Sequence, residues 1–171
     1  MKKILVTYWP QGGNVETCAH KVKSAFGGDS VLKPLENITN DDLQQADVIV
    51  AGCSTVGAET WRETMGNNQW NKFFANLDKK LMFNKKVAIF GLGDQVLYAD
   101  HFVDFMAQLK EEFQKSGAHI IGKWPVKGYN FKESEAVEGG YFVGLALDED
   151  WQTEFTDTRI KEWVNQILSE I

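Results

Sequence analysis

Apolar positions in this chain gather into runs of strand length at 4–8, 31–35, 47–53, 86–91 and 119–124. Within them, Val48-Ile49-Val50-Ala51 and Val87-Ala88-Ile89-Phe90 are apolar at every position, the pattern of central strands covered on both faces. Helical spacing fills most of the intervals, at 15–26, around 70–77, at 99–116 and at 157–169. In the last of these, Ile160, Trp163, Val164, Ile167 and Leu168 fall on one stripe, and Thr156-Asp157 supply side chains suited to the helix start. Strands that alternate with helices pair in parallel, so the pattern predicts an α/β three-layer sandwich: a five-stranded parallel sheet with four or five helices on its two faces. Two stretches break the alternation. Residues 55–68 form a long polar, glycine-bearing loop after the third strand. Residues 125–140 form another, after which the run at 141–146 resumes a strand pattern, so the last strand is interrupted by an insertion. Open α/β sheets bind ligands beyond the carboxyl ends of their strands, which places a site at the loops beginning at Trp9, Ser54, Leu92 and Lys123.

At 171 residues, with neither repeat nor interdomain linker, the chain is expected to form a single domain over 1–171 whose core needs no covalent staple. A net charge of −6 and a pI near 5.1 argue against nucleic acid and fit a basic docking surface on a protein partner. The two cysteines, Cys18 and Cys53, are too few for a disulfide framework and lack metal-ligand spacing, so both read as small apolar core residues. His20, His101 and His119 share no spacing of a metal site, and no Ser/His/Asp or Cys/His pairing suggests nucleophilic catalysis. The apolar run after Lys2-Lys3 is too short for a secretory signal, nothing reaches the length of a membrane span, and the cytoplasm is the expected compartment.

The first strand runs into Trp9-Pro10-Gln11-Gly12-Gly13-Asn14-Val15-Glu16 and then into a helix. A tight glycine turn that feeds a helix points several backbone N–H groups at one spot, where the positive helix end adds to the field; this suits an anion. No Ser or Thr lies between Trp9 and Glu16, so a phosphate held there relies on backbone amides, Gln11 and Asn14.

Phe90-Gly91-Leu92-Gly93-Asp94-Gln95, with Tyr98-Ala99-Asp100 after it, and Phe142-Val143-Gly144-Leu145-Ala146-Leu147-Asp148-Glu149-Asp150 near the end resemble the flavodoxins, specifically their long-chain group. Gly128-Tyr129-Asn130-Phe131 and Lys161-Glu162-Trp163-Val164 extend the resemblance over essentially the whole chain. It implies a flavodoxin-like fold and a monomeric electron carrier, not an enzyme, that holds FMN noncovalently and shuttles electrons between a reductase and acceptor enzymes. Carried over by position, Pro10, Gln11, Gly12, Gly13, Asn14 and Val15 would cradle the FMN phosphate. Thr55, Val56 and Gly57 would flank one face of the isoalloxazine and Tyr98 would stack on the other. Leu92, Gly93 and Asp94 would meet the ring edge through backbone groups, with His101 and Asp150 beside the ring or ribityl chain. Gly57 would permit the carbonyl flip by which the family bonds reduced flavin, and Asp94 and Asp150 would keep the surroundings negative and lower the potential of the second reduction.

The chain departs from the family in two places. The family loop reads Thr/Ser-x-Thr-Gly-x-Thr, and Pro10, Gly12 and Val15 remove all three hydroxyls. At about 1.5 kcal/mol for each bond to a charged phosphate, the loss costs roughly 4.5 kcal/mol, on the order of a thousandfold in affinity. After Thr55, where the family commonly places a large side chain, stands Val56, and Trp61 lies in a lengthened loop as a substitute stack or a cover for the loop's own apolar residues. These departures motivate an alternative: a flavodoxin-like binding module with weakened or lost FMN binding that takes another planar ligand, or flavin without phosphate. A flavin-dependent reductase of NAD(P)H is a third reading, for which no nicotinamide-binding segment is seen.

Overall fold

A computed structural model describes residues 1–55 and 68–171. Its main sheet contains β1 (Ile4–Tyr8), β2 (Ser30–Pro34), β3 (Val48–Ser54), β4 (Lys86–Leu92) and β5 (His119–Ile121), in the order β2-β1-β3-β4-β5, all neighbours parallel. The strand order reverses between β1 and β3, so the loops leaving these two strands lie side by side at their carboxyl ends. There the Trp9 N–H donates to the Gly52 carbonyl at 3.2 Å.

Alternation along the central strands divides the core in two, as parallel strands buried on both faces require. Val48, Val50, Ala88 and Phe90 face one layer with α1 (Asn14–Phe26), while Ile49, Ala51, Val87 and Ile89 face the other. Helix α1 buries Val15, Cys18, Ala19 and Val22 and stops at Gly27, whose positive φ lets its N–H return to the Lys23 carbonyl. The opposite layer contains α2 (Asn40–Gln45), α3 (Gln69–Asn76) and α4 (Phe105–Lys115). α2 was not signalled by hydrophobic spacing, since Leu43 is its one buried residue; it is held by a capping box between Thr39 and Asp42.

The last strand is interrupted as expected, and the structure adds how. β5 pairs with β4 at 86–88, the chain then leaves the sheet, and β9 (Leu145–Leu147) pairs with β4 at 90–92 in parallel. Between them, β6 (Trp124–Pro125), β7 (Val137–Glu138) and β8 (Tyr141–Phe142) make a small antiparallel sheet in the order β6-β8-β7. The runs 119–124 and 141–146 are therefore each shared between two sheets. The second divides at Gly144, where a Cβ would stand 2.0 Å from the Ile89 carbonyl oxygen, so only glycine lets β9 close onto β4. Phe102, Tyr129, Phe131 and Phe142 pack beneath the insertion with ring centroids 5.1–5.9 Å apart.

Two helix boundaries differ from the sequence pattern. Residues 96–104 run in turns, and α4 begins at Phe105. Ties to the insertion hold this segment out of helix: Lys132 and Glu133 N–H groups donate to the Ala99 carbonyl, and the Ser134 hydroxyl to that of Phe102. The last helix, α5 (Thr153–Glu170), starts earlier than 157, so Thr156 is a buried residue inside it rather than its cap, bonded to the Glu149 carboxylate. Ile160, Trp163, Val164 and Ile167 form its buried stripe, whereas Leu168 is exposed.

Candidate functional site

The carboxyl ends of β1, β3, β4 and β9 open into a cleft of about 400 Å³, a size suited to a small cofactor. Pro10, Gly12, Asn14 and Val15 line it from the first loop. Ser54 and Thr55 come from the end of β3; Leu92, Gly93, Asp94, Leu97 and Tyr98 from β4 and the turns after it; Glu149 and Asp150 from beyond β9. Of the residues expected at a flavin, Gly12, Asn14, Val15, Thr55, Leu92, Gly93, Asp94, Tyr98 and Asp150 are thus gathered at one place. Val56, Gly57 and Trp61 lie outside the described residues.

At the first loop, Gly12 and Gly13 take φ of 71° and 104°, which glycine adopts without strain. Their turn brings the chain into α1, whose first internal bond runs from Thr17 N–H to the Gly13 carbonyl at 3.1 Å. The N–H groups of Gly13, Asn14, Val15 and Glu16 have no acceptor among the described residues, leaving four donors at a positive helix end. The Gly12 N–H is already used: it donates to the Glu16 carboxylate at 2.5 Å, and the Tyr8 hydroxyl donates to the other oxygen at 2.9 Å. The Gly12 amide first, then the Tyr8 hydroxyl, hold the Glu16 carboxyl below the usual carboxylate range. Burial, with Glu16 and then Glu36 adding to it, pushes the Tyr8 phenol up to about 12. Gln11 does not line the cleft; its amide donates to Glu36 at 3.0 Å.

On the second strand end, Thr55 knits three elements together. Its N–H donates to the Leu92 carbonyl at 3.1 Å, and its hydroxyl accepts from the Phe105 N–H, also at 3.1 Å, at the start of α4. Gly93 N–H donates to the Leu147 carbonyl, so that donor and the Leu92 carbonyl serve the sheet. Asp94 organises the turn above. One carboxylate oxygen accepts from the N–H groups of Val96 and Leu97 at 2.9 and 2.7 Å and from the Trp151 indole at 2.8 Å. The Asp94 backbone N–H has no acceptor among the described residues.

Tyr98 lines the cleft with 37% of its surface exposed. His101 belongs to a neighbouring cleft with Asp100 and Phe131, and its ring pairs with the buried Asp104 at 3.0 Å. Below the mouth, the fully buried Asp148 accepts from the backbone and side chain of Gln95 and from the N–H groups of Asp150 and Trp151, fixing the two loops together. Burial first, then Asp94, Asp148 and Glu149, push the Asp150 carboxyl up from its ordinary value. Negative charge is therefore concentrated at this mouth.

Sequence reasoning missed Trp151 as a rim residue. Its only signal was its position next to Asp150, since the contact with Asp94 spans 57 residues. No grouping of His, Cys, Asp and Glu suited to a metal ion occurs among the described residues. No helix among them is long and apolar enough to cross a membrane.

With this geometry in place, comparison with known proteins is specific. The flavodoxin family model matches residues 6–163. A flavodoxin of Synechocystis sp. is 44% identical over 170 residues, covering 98% of this chain and 96% of that protein. A second, from Synechococcus elongatus, is 41% identical over 172 residues, with coverage of 99% and 98%. Among solved structures, Fusobacterium nucleatum flavodoxin bound to flavin mononucleotide aligns with a TM-score of 0.84 at 23% identity, over 100% of this chain and 99% of that one, a likeness of fold.

Proposed function

Since the chain belongs to the flavodoxin family, we propose that it is an electron carrier with FMN in the cleft at the ends of β1, β3, β4 and β9, acting as one domain over 1–171. The observation that carries this reading is that the start of α1, with its four free amides, enters through Asn14 and Val15 the same cleft that the exposed Tyr98 lines. These parts match the two halves of the cofactor. The amides of Gly13, Asn14, Val15 and Glu16 suit the phosphate. Tyr98 suits the flat ring, where offset aromatic contact contributes about 0.5–1.5 kcal/mol beyond area burial. Thr55 holds the β3 end that would flank the other face, and the free Asp94 amide would meet the ring edge.

Bound FMN supplies the redox chemistry; the chain supplies binding, orientation and field. The carboxylates of Asp94, Glu149 and Asp150 line the mouth with Asp148 buried below it, and they disfavour negative charge added to a neighbour. They would lower the potential of the second reduction step, the one that leaves the flavin anionic.

The partners are redox proteins. The chain's net charge of −6 suits basic docking patches and a cytoplasmic carrier that works as a monomer without nucleic acid. The test is electron transfer from NADPH through a flavoprotein reductase to cytochrome c. The FMN-loaded chain should accelerate it, more weakly as ionic strength rises, and the flavin-free chain should not. Equal rates with and without FMN would contradict the carrier role.

A further inference from the structure

The loop that would receive phosphate already contains an anion belonging to the chain. We propose that the Glu16 carboxylate, seated on the Gly12 N–H, competes with the FMN phosphate and so lowers this chain's discrimination between phosphorylated and unphosphorylated flavin. The inference rests on FMN binding at this cleft.

Three observations carry it. First, Glu16 is anchored from two sides, by the Gly12 N–H at 2.5 Å and by the Tyr8 hydroxyl at 2.9 Å, so its charge is held at the turn rather than dispersed into solvent. Second, the turn offers little to offset it. Residues 9–15 include no Lys, Arg, Ser or Thr. The titratable groups facing Glu16 and Tyr8 are the His20 imidazole, one turn along α1, and a second carboxylate, Glu36, which Gln11 approaches at 3.0 Å. Third, the Gly12 amide adjoins the four free amides of the cradle, so phosphate and carboxylate draw on one donor set. A phosphate dianion gains those amides only while it tolerates the carboxylate or displaces it from Gly12. The isoalloxazine and ribityl parts, shared by FMN and riboflavin, are untouched by this conflict.

Competition of this kind predicts a signature in the ratio of two affinities. A like charge within a few ångströms of a phosphate dianion costs on the order of tenfold in binding even in a water-like dielectric. Glu16→Gln keeps an oxygen able to accept from Gly12 but removes the charge; Glu16→Ala removes both. FMN and riboflavin are titrated into the flavin-free wild-type chain and both variants, following quenching of flavin fluorescence, with thermal unfolding as a check on folding.

In Glu16→Gln the FMN-to-riboflavin affinity ratio should rise about tenfold while riboflavin affinity stays unchanged, and Glu16→Ala should raise it at least as far. An unchanged or lower ratio in Glu16→Gln, with both flavins still bound, overturns the competition and leaves the cofactor assignment standing. If Glu16→Gln fails to fold, the ratio in Glu16→Ala decides in the same way. A wild-type chain that binds neither flavin overturns the assignment and the competition together.

Discussion

Individual side chains at the cleft have separable duties, which makes them testable one at a time. The Asp94 carboxylate is committed to the Val96 and Leu97 amides and the Trp151 indole, so its main effect is to shape the turn that presents Tyr98. Tyr98 makes no side-chain hydrogen bond among the described residues and is exposed, so its removal leaves the fold intact. Tyr98→Ala should weaken FMN binding about tenfold, the equivalent of about 1.4 kcal/mol, with little change in melting temperature. Fluorescence titration of the variant beside wild type measures this, and equal affinity would mean that the ring stacks elsewhere. Asp148 is a positioning residue, holding the 95 and 150 turns in one arrangement without lining the cleft.

Elements show where local pattern was sufficient and where it was not. Val48 to Ala51 and Val87 to Phe90 declared buried parallel strands because both of their faces must be apolar, and the insertion announced itself by breaking the last strand. The small sheet β6-β8-β7 was hidden, since strands of two residues leave no readable period. The late start of α4 was hidden as well, because the bonds that unwind residues 99–104 come from residues 132–134. That Tyr98 and Asp150 stand at the strand-end cleft was legible from their place in family-like motifs; the Glu16 bond to Gly12 was not, because it depends on how two glycines turn. Gly144 tests the join between β4 and β9. Gly144→Ala places a methyl group against the Ile89 carbonyl and should cost about 3 kcal/mol, lowering Tm by about 6–12 °C, as read by calorimetry. A melting temperature within a degree of wild type would show that the strands are not so closely joined.

Across the whole molecule, two apolar layers enclose the sheet, and each contains one cysteine. Burial pushes the Cys18 thiol up to about 12 and the Cys53 thiol higher still, so neither forms the reactive thiolate at neutral pH. The native protein should react with no equivalent of Ellman's reagent within minutes, and the denatured protein with two; rapid native labelling would contradict the packing. The same scale holds the functional claim, because four strand ends, the first loop and the turns after β4 and β9 meet to form the cleft. Its most direct test is titration of FMN with the flavin-free protein. The account predicts saturable quenching of flavin fluorescence at one FMN per chain, and fluorescence that stays unchanged in excess protein would contradict it.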